Sequence, residues 1–318
     1  MITTLSGKTA LVIDKFLVNP INFVYRNPKL LDIHIDYFNL EETKQRHDLR
    51  VLSNMGYREL NLEYSLTDMV NKGGKKKLLN KASVFAPLDN FIKFFNSKVS
   101  NYQSKNPSKI KIDILTSIKK LEDSGVNIKA DNFYYIVIID NLKFLKKDNG
   151  HNNKKDVIDD LCLNIMQDFR LSEYKIIPVI LQHTSVSQDN VIVNVNGDIV
   201  DNKLKPSLSS MGDSNDTQTP ATCILGIFKP HRFGIKNYPG KDGYDIVALQ
   251  DNIRFLIPIK ARDNSYEGVD LPIYFKGNVS AFEEMPTLQE FRSDRVLYEK
   301  YKAPILLQKP VNKFTITI

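Results

Sequence analysis

Apolar and polar residues follow two periods along this chain, and the changes of period mark its elements. Residues 8–18 (KTALVIDKFLV) space Leu11, Val12, Phe16 and Leu17 as one face of a helix. Residues 30–40 (LLDIHIDYFNL) alternate apolar and polar side chains, which predicts a strand with Ile33, Ile35 and Tyr37 on one side. A polar helix is expected over 41–54, a solvated turn at NKGGKKK within 65–80, a short strand at 83–88 (SVFAPL) and an amphipathic helix over 107–124. FYYIVIIDNLKFL (133–145) is a continuous β-branched and aromatic run that meets an acid. Such a run suits a strand covered on both faces, hence a parallel sheet with helices on each side. Helical spacing returns over 154–173 through Val157, Leu161, Ile165 and Phe169, and KIIPVILQHT (175–184) reads as another buried strand. A polar stretch, 185–220, leads to the strand ATCILGIFKP and then to IRFLIPIKARD (253–263) and VDLPIYFKG (269–277). Strands alternating with helices, with no internal repeat and no strong boundary, predict one α/β domain. Its sheet is mostly parallel and twisted, flanked by helices, with an antiparallel, hairpin-like extension at its end.

Composition narrows the partners more than the fold. The 318 residues suffice for a substantial core, and 42% hydrophobic with 25% charged residues is ordinary for a globular protein. A formal net charge of +7 and a pI near 9.1 favour polyanionic partners such as nucleic acid. Cys162 and Cys223 each lie in an apolar run and belong to no metal-ligand pair, so both read as buried thiols in a reducing compartment. The apolar stretches are too short to cross a bilayer, and MITTLSGKTA has no basic-then-apolar signal character. The cytoplasm is the expected compartment, with no membrane partner.

Candidate chemistry gathers at strand ends. Gly7, Lys8 and Thr9 form the last half of a phosphate-binding loop. Only six residues precede them, too few for the usual strand, and Ile2 stands where the first loop glycine is expected. Asp140 follows IVII and is placed to hold Mg²⁺ near phosphates, whose coordination needs oxygen ligands. Gln182 ends VILQHT and would sense a terminal phosphate or orient water, whereas His183, with no visible Cys or Asp partner, reads as structural. Glu41 follows the first strand and would polarise an attacking water, with Glu42 and Asp36 as rivals that spacing does not exclude. Lys260 and Arg262 alternate on one strand and therefore share a face, which suits phosphate stabilisation across a subunit boundary as well as guarding an edge strand.

In this order the segments resemble the RecA-type ATPase domain of the DnaB family of replicative helicases. GKTALVID resembles that family's P-loop and following helix, HIDYFNLEETKQRHDLRVLS its catalytic-glutamate strand and helix, and YYIVIIDNLKFL its second acidic strand. IIPVILQHTSVS is similar to its glutamine-bearing strand, KPSLSSMGDSNDTQTPATCILGIFKP to its channel loop, and IPIKARDNSYEGVDLPIYFKGNVSAF to its Lys-x-Arg strand. The resemblance implies a single P-loop NTPase domain over 1–318. Within it, 1–60 would carry the P-loop and catalytic glutamate, 130–185 the Asp and Gln strands, 186–220 the DNA-facing loop and 250–318 the trans-acting cations. It implies ATP held by Gly7, Lys8, Thr9 and Asp140, Mg²⁺ on Thr9 and Asp140, Glu41 activating water and Arg46 on a recurrent arginine position. It also puts single-stranded DNA against Gly212, Asp213 and Asn215, although Gly212 replaces an arginine, Asn215 a glycine and Thr222 an aspartate. Finally it implies a homo-oligomeric ring, a hexamer, with a primase or helicase loader as partner. The family's amino-terminal helical domain and linker helix have no counterpart in the sequence. A non-hydrolysing scaffold that binds nucleic acid on the same fold, and a RecA-type recombinase, are the competing functions. The Asn-, Lys- and Ile-rich composition suits an AT-rich genome such as a phage's.

Overall fold

In the computed structural model, residues 7–70, 84–183, 204–210, 215–262 and 269–302 are described. The NKGGKKK run, Gly212 and Asp213 lie outside them. The chain enters through a helix, α1, built of an α-turn Lys8–Val12, a π-helical stretch Ile13–Val18 and an α-helical stretch Asn19–Arg26. It thus runs well past the expected end at residue 18. Pro20 has no N–H to give to the carbonyl four residues back, and the wider π register just before it loosens that turn. Ile13, Leu17, Val18 and Ile21 are fully buried, and each such side chain contributes about 1.5–3 kcal/mol by leaving water.

β1 (Asp32–Asn39) and α2 (Lys44–Leu60) follow. Thr43 caps α2 by accepting the Arg46 N–H, and Asn61 closes it in the left-handed conformation. The strand expected at 83–88 is helical instead: Ala86–Leu88 makes a 3₁₀ turn with Pro87 at its start, leading into α3 (Asp89–Lys98). Proline fits a first helical turn because its missing N–H would be unpaired there anyway. Next come β2 (Val99–Tyr102), α4 (Pro107–Asp123), β3 (Phe133–Asp140) and α5, which runs as Lys154–Asp159, Asp160–Ile165 and Met166–Leu171. β4 spans Ile177–Ile180. These strands form a parallel sheet in the order β2-β1-β3-β4.

β5 (Cys223–Phe228) belongs to a second sheet, with β8 (Ile253–Ala261), β9 (Leu271–Lys276) and β10 (Ala281–Glu284) in the antiparallel order β10-β9-β8-β5. Two short strands, β6 (Asn237–Tyr238) and β7 (Tyr244–Asp245), lie between them in the chain. α1 reaches both sheets. Ala10 and Leu11 pack with Phe275, Phe282 and Leu256 of the antiparallel sheet, while Val12, Ile13 and Leu17 pack with Ile33, Ile35 and Ile138 of the parallel one. Cys162 is buried as expected, its thiol pushed up to about 12 by desolvation, but Cys223 is exposed because it opens an edge strand. Among the described residues no helix is long and apolar enough to cross a membrane.

Candidate functional site

Ligand sites of parallel sheets gather where strands end and helices begin, and here the carboxyl ends of β1, β3 and β4 meet the start of α1. Gly7 takes φ 90°, a left-handed conformation, and a Cβ there would stand 3.1 Å from the Phe282 ring. Both facts favour glycine at this turn. Lys8 and Thr9 are therefore the first residues of a helix, where backbone N–H groups and the helix dipole favour an anion. Lys8 Nζ donates to the Gln182 carbonyl at 3.0 Å and lies 3.1 Å from His183 Nδ1.

Asp140, at the end of β3, is buried and bonds with the Thr9 side chain. Its Oδ2 accepts the Tyr37 hydroxyl at 2.9 Å, and its Oδ1 is buried without a hydrogen-bond partner. Burial raises the carboxyl to about 6; Glu41 and Glu42 add to the rise, and the bonds from Tyr37 and Thr9 oppose it. An orphaned carboxylate oxygen beside a threonine hydroxyl fits a divalent cation. No group of three or more His, Cys, Asp or Glu converges for a metal among the described residues. Magnesium bound by Thr9, Asp140, phosphate and water needs no such group.

Register separates the rival carboxylates. Asn39 pairs with Asp140 across β1 and β3, which carries Glu41 just beyond the strand ends, where its Oε2 accepts Asn141 Nδ2 at 3.1 Å. Glu42 is instead taken by Arg50 at 2.6 Å, with Arg46 at 3.8 Å. Asp36 lies on the other face of β1, accepting Tyr135 at 2.6 Å and Ser117 at 2.9 Å with His34 Nε2 at 3.1 Å. The alternation of 30–40 suggests one core face only; the polar face is buried as well and satisfied internally, as burial demands.

Gln182 turns its Oε1 to Thr217 Oγ1 at 2.9 Å, so it joins the site to the 3₁₀ segment Asn215–Gln218, whose first residue is the predicted DNA-facing Asn215. Lys260 donates to the Gln218 carbonyl and Arg262 to the Thr219 carbonyl, each at 2.6 Å. Both predicted trans-acting cations thus hold this same segment within the chain. Tyr37, Asn141 and His183 are members of the site that sequence reasoning did not assign to it. His183 is buried, and its pKa is lowered to about 4 by desolvation with the Lys8 and Lys143 charges. The available signal was adjacency: Asn141 and His183 each directly follow a singled-out strand-end residue. A surface depression lined by His151, Asp156, Asp159 and Asp160 shares no residue with this site.

No family model and no curated protein matches this sequence. Solved structures match its fold. A DnaB-like replicative helicase, described with its interactions with primase, superposes with a TM-score of 0.58 at 13% identity, over 89% of this chain and 57% of that one. A second solved structure, an ATPase domain, superposes with a TM-score of 0.56 at 16% identity, over 88% of this chain and 81% of that domain. The chain therefore spans little more than half of the first protein's length. It shares with these two structures a RecA-like α/β fold, with an antiparallel sheet beside the parallel one.

Proposed function

We propose that this chain is the ATP-driven motor domain of a DnaB-type replicative DNA helicase, forming one RecA-like unit and acting as a hexameric ring on single-stranded DNA. The observation that carries the reading is the meeting of Lys8 and Thr9, at a helix start, with the buried, half-satisfied Asp140 and the nearby Glu41. Lys8 and the amides of the first turn would hold the phosphates of ATP, with Gly7 allowing the close approach. Thr9 and Asp140 are the residues to hold Mg²⁺, which when bound would neutralise charge on the phosphate oxygens. Glu41 would take the proton of the attacking water, its carboxylate oriented by Asn141. Gln182 would carry the state of the site through Thr217 to the segment beginning at Asn215, which, with Gly212 and Asp213, would face DNA. Lys260 and Arg262 would reach the nucleotide of a neighbouring protomer, as cations supplied across an interface do in phosphoryl transfer.

DNA would be held by its backbone without sequence readout, in keeping with the net charge of +7. A primase or helicase loader is the proposed protein partner, and the cytoplasm, of a host cell if the source is a phage, the proposed compartment. A second reading, a scaffold on the same fold that no longer hydrolyses ATP, is favoured by one observation. Lys8, Lys260 and Arg262 all engage carbonyls of their own chain.

Hydrolysis measured with and without single-stranded DNA separates the two. The motor reading expects DNA-stimulated turnover that falls about 10²-fold or more in Lys8→Ala and about 10³-fold in Arg262→Ala. Mixing the two inactive variants should restore part of the activity, because each supplies the half-site the other lacks. Robust hydrolysis indifferent to both substitutions defeats this site assignment, and DNA retention without hydrolysis favours the scaffold.

A further inference from the structure

Three polar atoms around the ends of β1 and β3 are buried without a hydrogen-bond partner: Asn39 Nδ2, Asp140 Oδ1 and Glu42 Oε2. Asn39 and Asp140 are paired residues of adjacent parallel strands, so their side chains leave the same face of the sheet from backbones about 4.8 Å apart. It is the face on which Tyr37 and Thr9 bond with Asp140. Glu42 reaches the same corner. Its backbone N–H donates to Asn39 Oδ1 at 3.0 Å, and its charge acts on both Tyr37 and Asp140. The bond from Glu42 also orients the Asn39 amide, because turning the amide over would set NH₂ against N–H. Nδ2 is therefore an orphaned donor, and the other two atoms are orphaned acceptors.

Buried polar groups are satisfied as a rule, and a donor beside two acceptors suits a water molecule, which accepts and donates at once. A bare cation does not suit that spot, since the amide hydrogens would face it. Glu41 stands two residues beyond Asn39, and Asn141, which directly follows Asp140, donates to its Oε2 at 3.1 Å. We propose that Asn39 is a catalytic residue that holds the attacking water, its Nδ2 donating to the water oxygen beside Glu41. In the resting protein this water donates to Asp140 Oδ1 and Glu42 Oε2. With nucleotide bound, Asp140 Oδ1 turns to its cation, and the proton that faced it is offered to Glu41. The free lone pair of the water oxygen then bonds to the terminal phosphorus. The bond from that phosphorus to the bridging oxygen breaks, its electron pair leaves with ADP, and the proton passes to Glu41. This rests on the nucleotide-site reading given above and gives a role to a strand-end amide which that reading does not use.

A high-resolution crystal structure of the nucleotide-free protein tests the site, and kinetics test its use. The expected result is one ordered water within hydrogen-bond distance of Asn39 Nδ2, Asp140 Oδ1 and Glu42 Oε2, lost in Asn39→Ala. Its absence from the wild-type protein overturns the proposal. In turnover measurements Asn39→Ala should lower kcat about tenfold, the scale of one hydrogen bond, while affinity for a non-hydrolysable ATP analogue stays the same. Asn39→Ser should recover part of the rate, because a hydroxyl accepts the Glu42 N–H and still donates to the water. Asn39→Asp keeps the bond from the Glu42 N–H but offers no donor, so it should stay as slow as Asn39→Ala. A wild-type rate in Asn39→Asp, or an equal loss in Asn39→Ser and Asn39→Ala, overturns the assignment of the donor. If Lys8→Ala abolishes turnover while every Asn39 variant keeps the wild-type kcat, this inference alone fails. If the wild-type protein does not hydrolyse ATP, the motor reading fails and takes the catalytic role of Asn39 along.

Discussion

Asp140 is held in the wrong medium for its charge. Its pKa rises from 3.8 to about 6 chiefly through burial, so the folded state favours the protonated carboxyl more than the unfolded chain does. The stability gained from protonation is complete below pH 4 and is lost as pH rises through about 6, with a ceiling of about 3 kcal/mol. Asp140→Asn, which is neutral at every pH, should therefore melt higher than wild type at pH 8 when no nucleotide is present. The gap should open between pH 4 and 6 and stay constant above, while Mg²⁺-dependent nucleotide binding is lost. Melting curves over that range decide the matter, and parallel pH profiles for the two proteins would contradict the burial argument. Glu41 needed the strand register to stand apart from Glu42 and Asp36, but as candidates Lys8 and Thr9, in the Gly-Lys-Thr motif, and Asp140, closing an apolar run, were legible in the sequence. Tyr37, Asn141 and His183 were not, because their partners come from other strands, through registers such as Asn39 opposite Asp140.

At the scale of elements, the apolar stripe of α1 was readable but its polar anchor was not. Asp14 is fully buried in the π-helical stretch, gripped by Arg58 at 2.7 and 2.6 Å, by Asn54 at 3.1 Å and by the Phe282 N–H at 3.0 Å. Asn54 also donates to the carbonyl of Ser280 at 2.9 Å. One carboxylate thereby ties the helix that begins at the proposed phosphate site to α2, which follows the Glu41 strand, and to β10. Removing one partner of a buried pair leaves an uncompensated charge, and Asp14→Ala should cost about 3 kcal/mol or more in urea denaturation. Replacing both members, as Asp14→Leu with Arg58→Met, should recover much of that loss. If the single and double variants are equally unstable, packing rather than the ion pair explains the cost. Sequence periodicity could not signal this anchor, since a lone acid on an amphipathic helix looks like any solvated position. α3 does carry a helical stripe, Leu88, Phe91, Ile92 and Phe95 at i, i+3, i+4 and i+7, whereas the four residues of β2 are too few for a period of their own.

On the scale of the whole molecule, strand–helix alternation made the α/β class readable. The order β2-β1-β3-β4 was not, because it depends on which distant strands pair. That order brings the end of β4 beside the start of α1, and Gln182 then spans from Lys8, through its carbonyl, to Thr217, through its side chain. Lys260 and Arg262 grip the carbonyls that directly follow, so the segment proposed to meet DNA is fastened to the proposed nucleotide site of its own chain and to the strand proposed to serve the next. Such fastening implies a coupling free energy, and coupling between two binding equilibria is reciprocal. Thr217→Val removes the hydroxyl bonded to Gln182 while nearly keeping the side chain's volume. The loss of one such bond is worth about 1 kcal/mol, or a several-fold change in an equilibrium constant. In Thr217→Val the factor by which a non-hydrolysable ATP analogue alters single-stranded DNA affinity should shrink several-fold. The factor by which DNA alters affinity for that analogue should shrink equally. Titrating each ligand in the presence and absence of the other measures both factors. Unchanged factors would show that Gln182 and Thr217 do not carry the coupling, whatever the site does with its nucleotide.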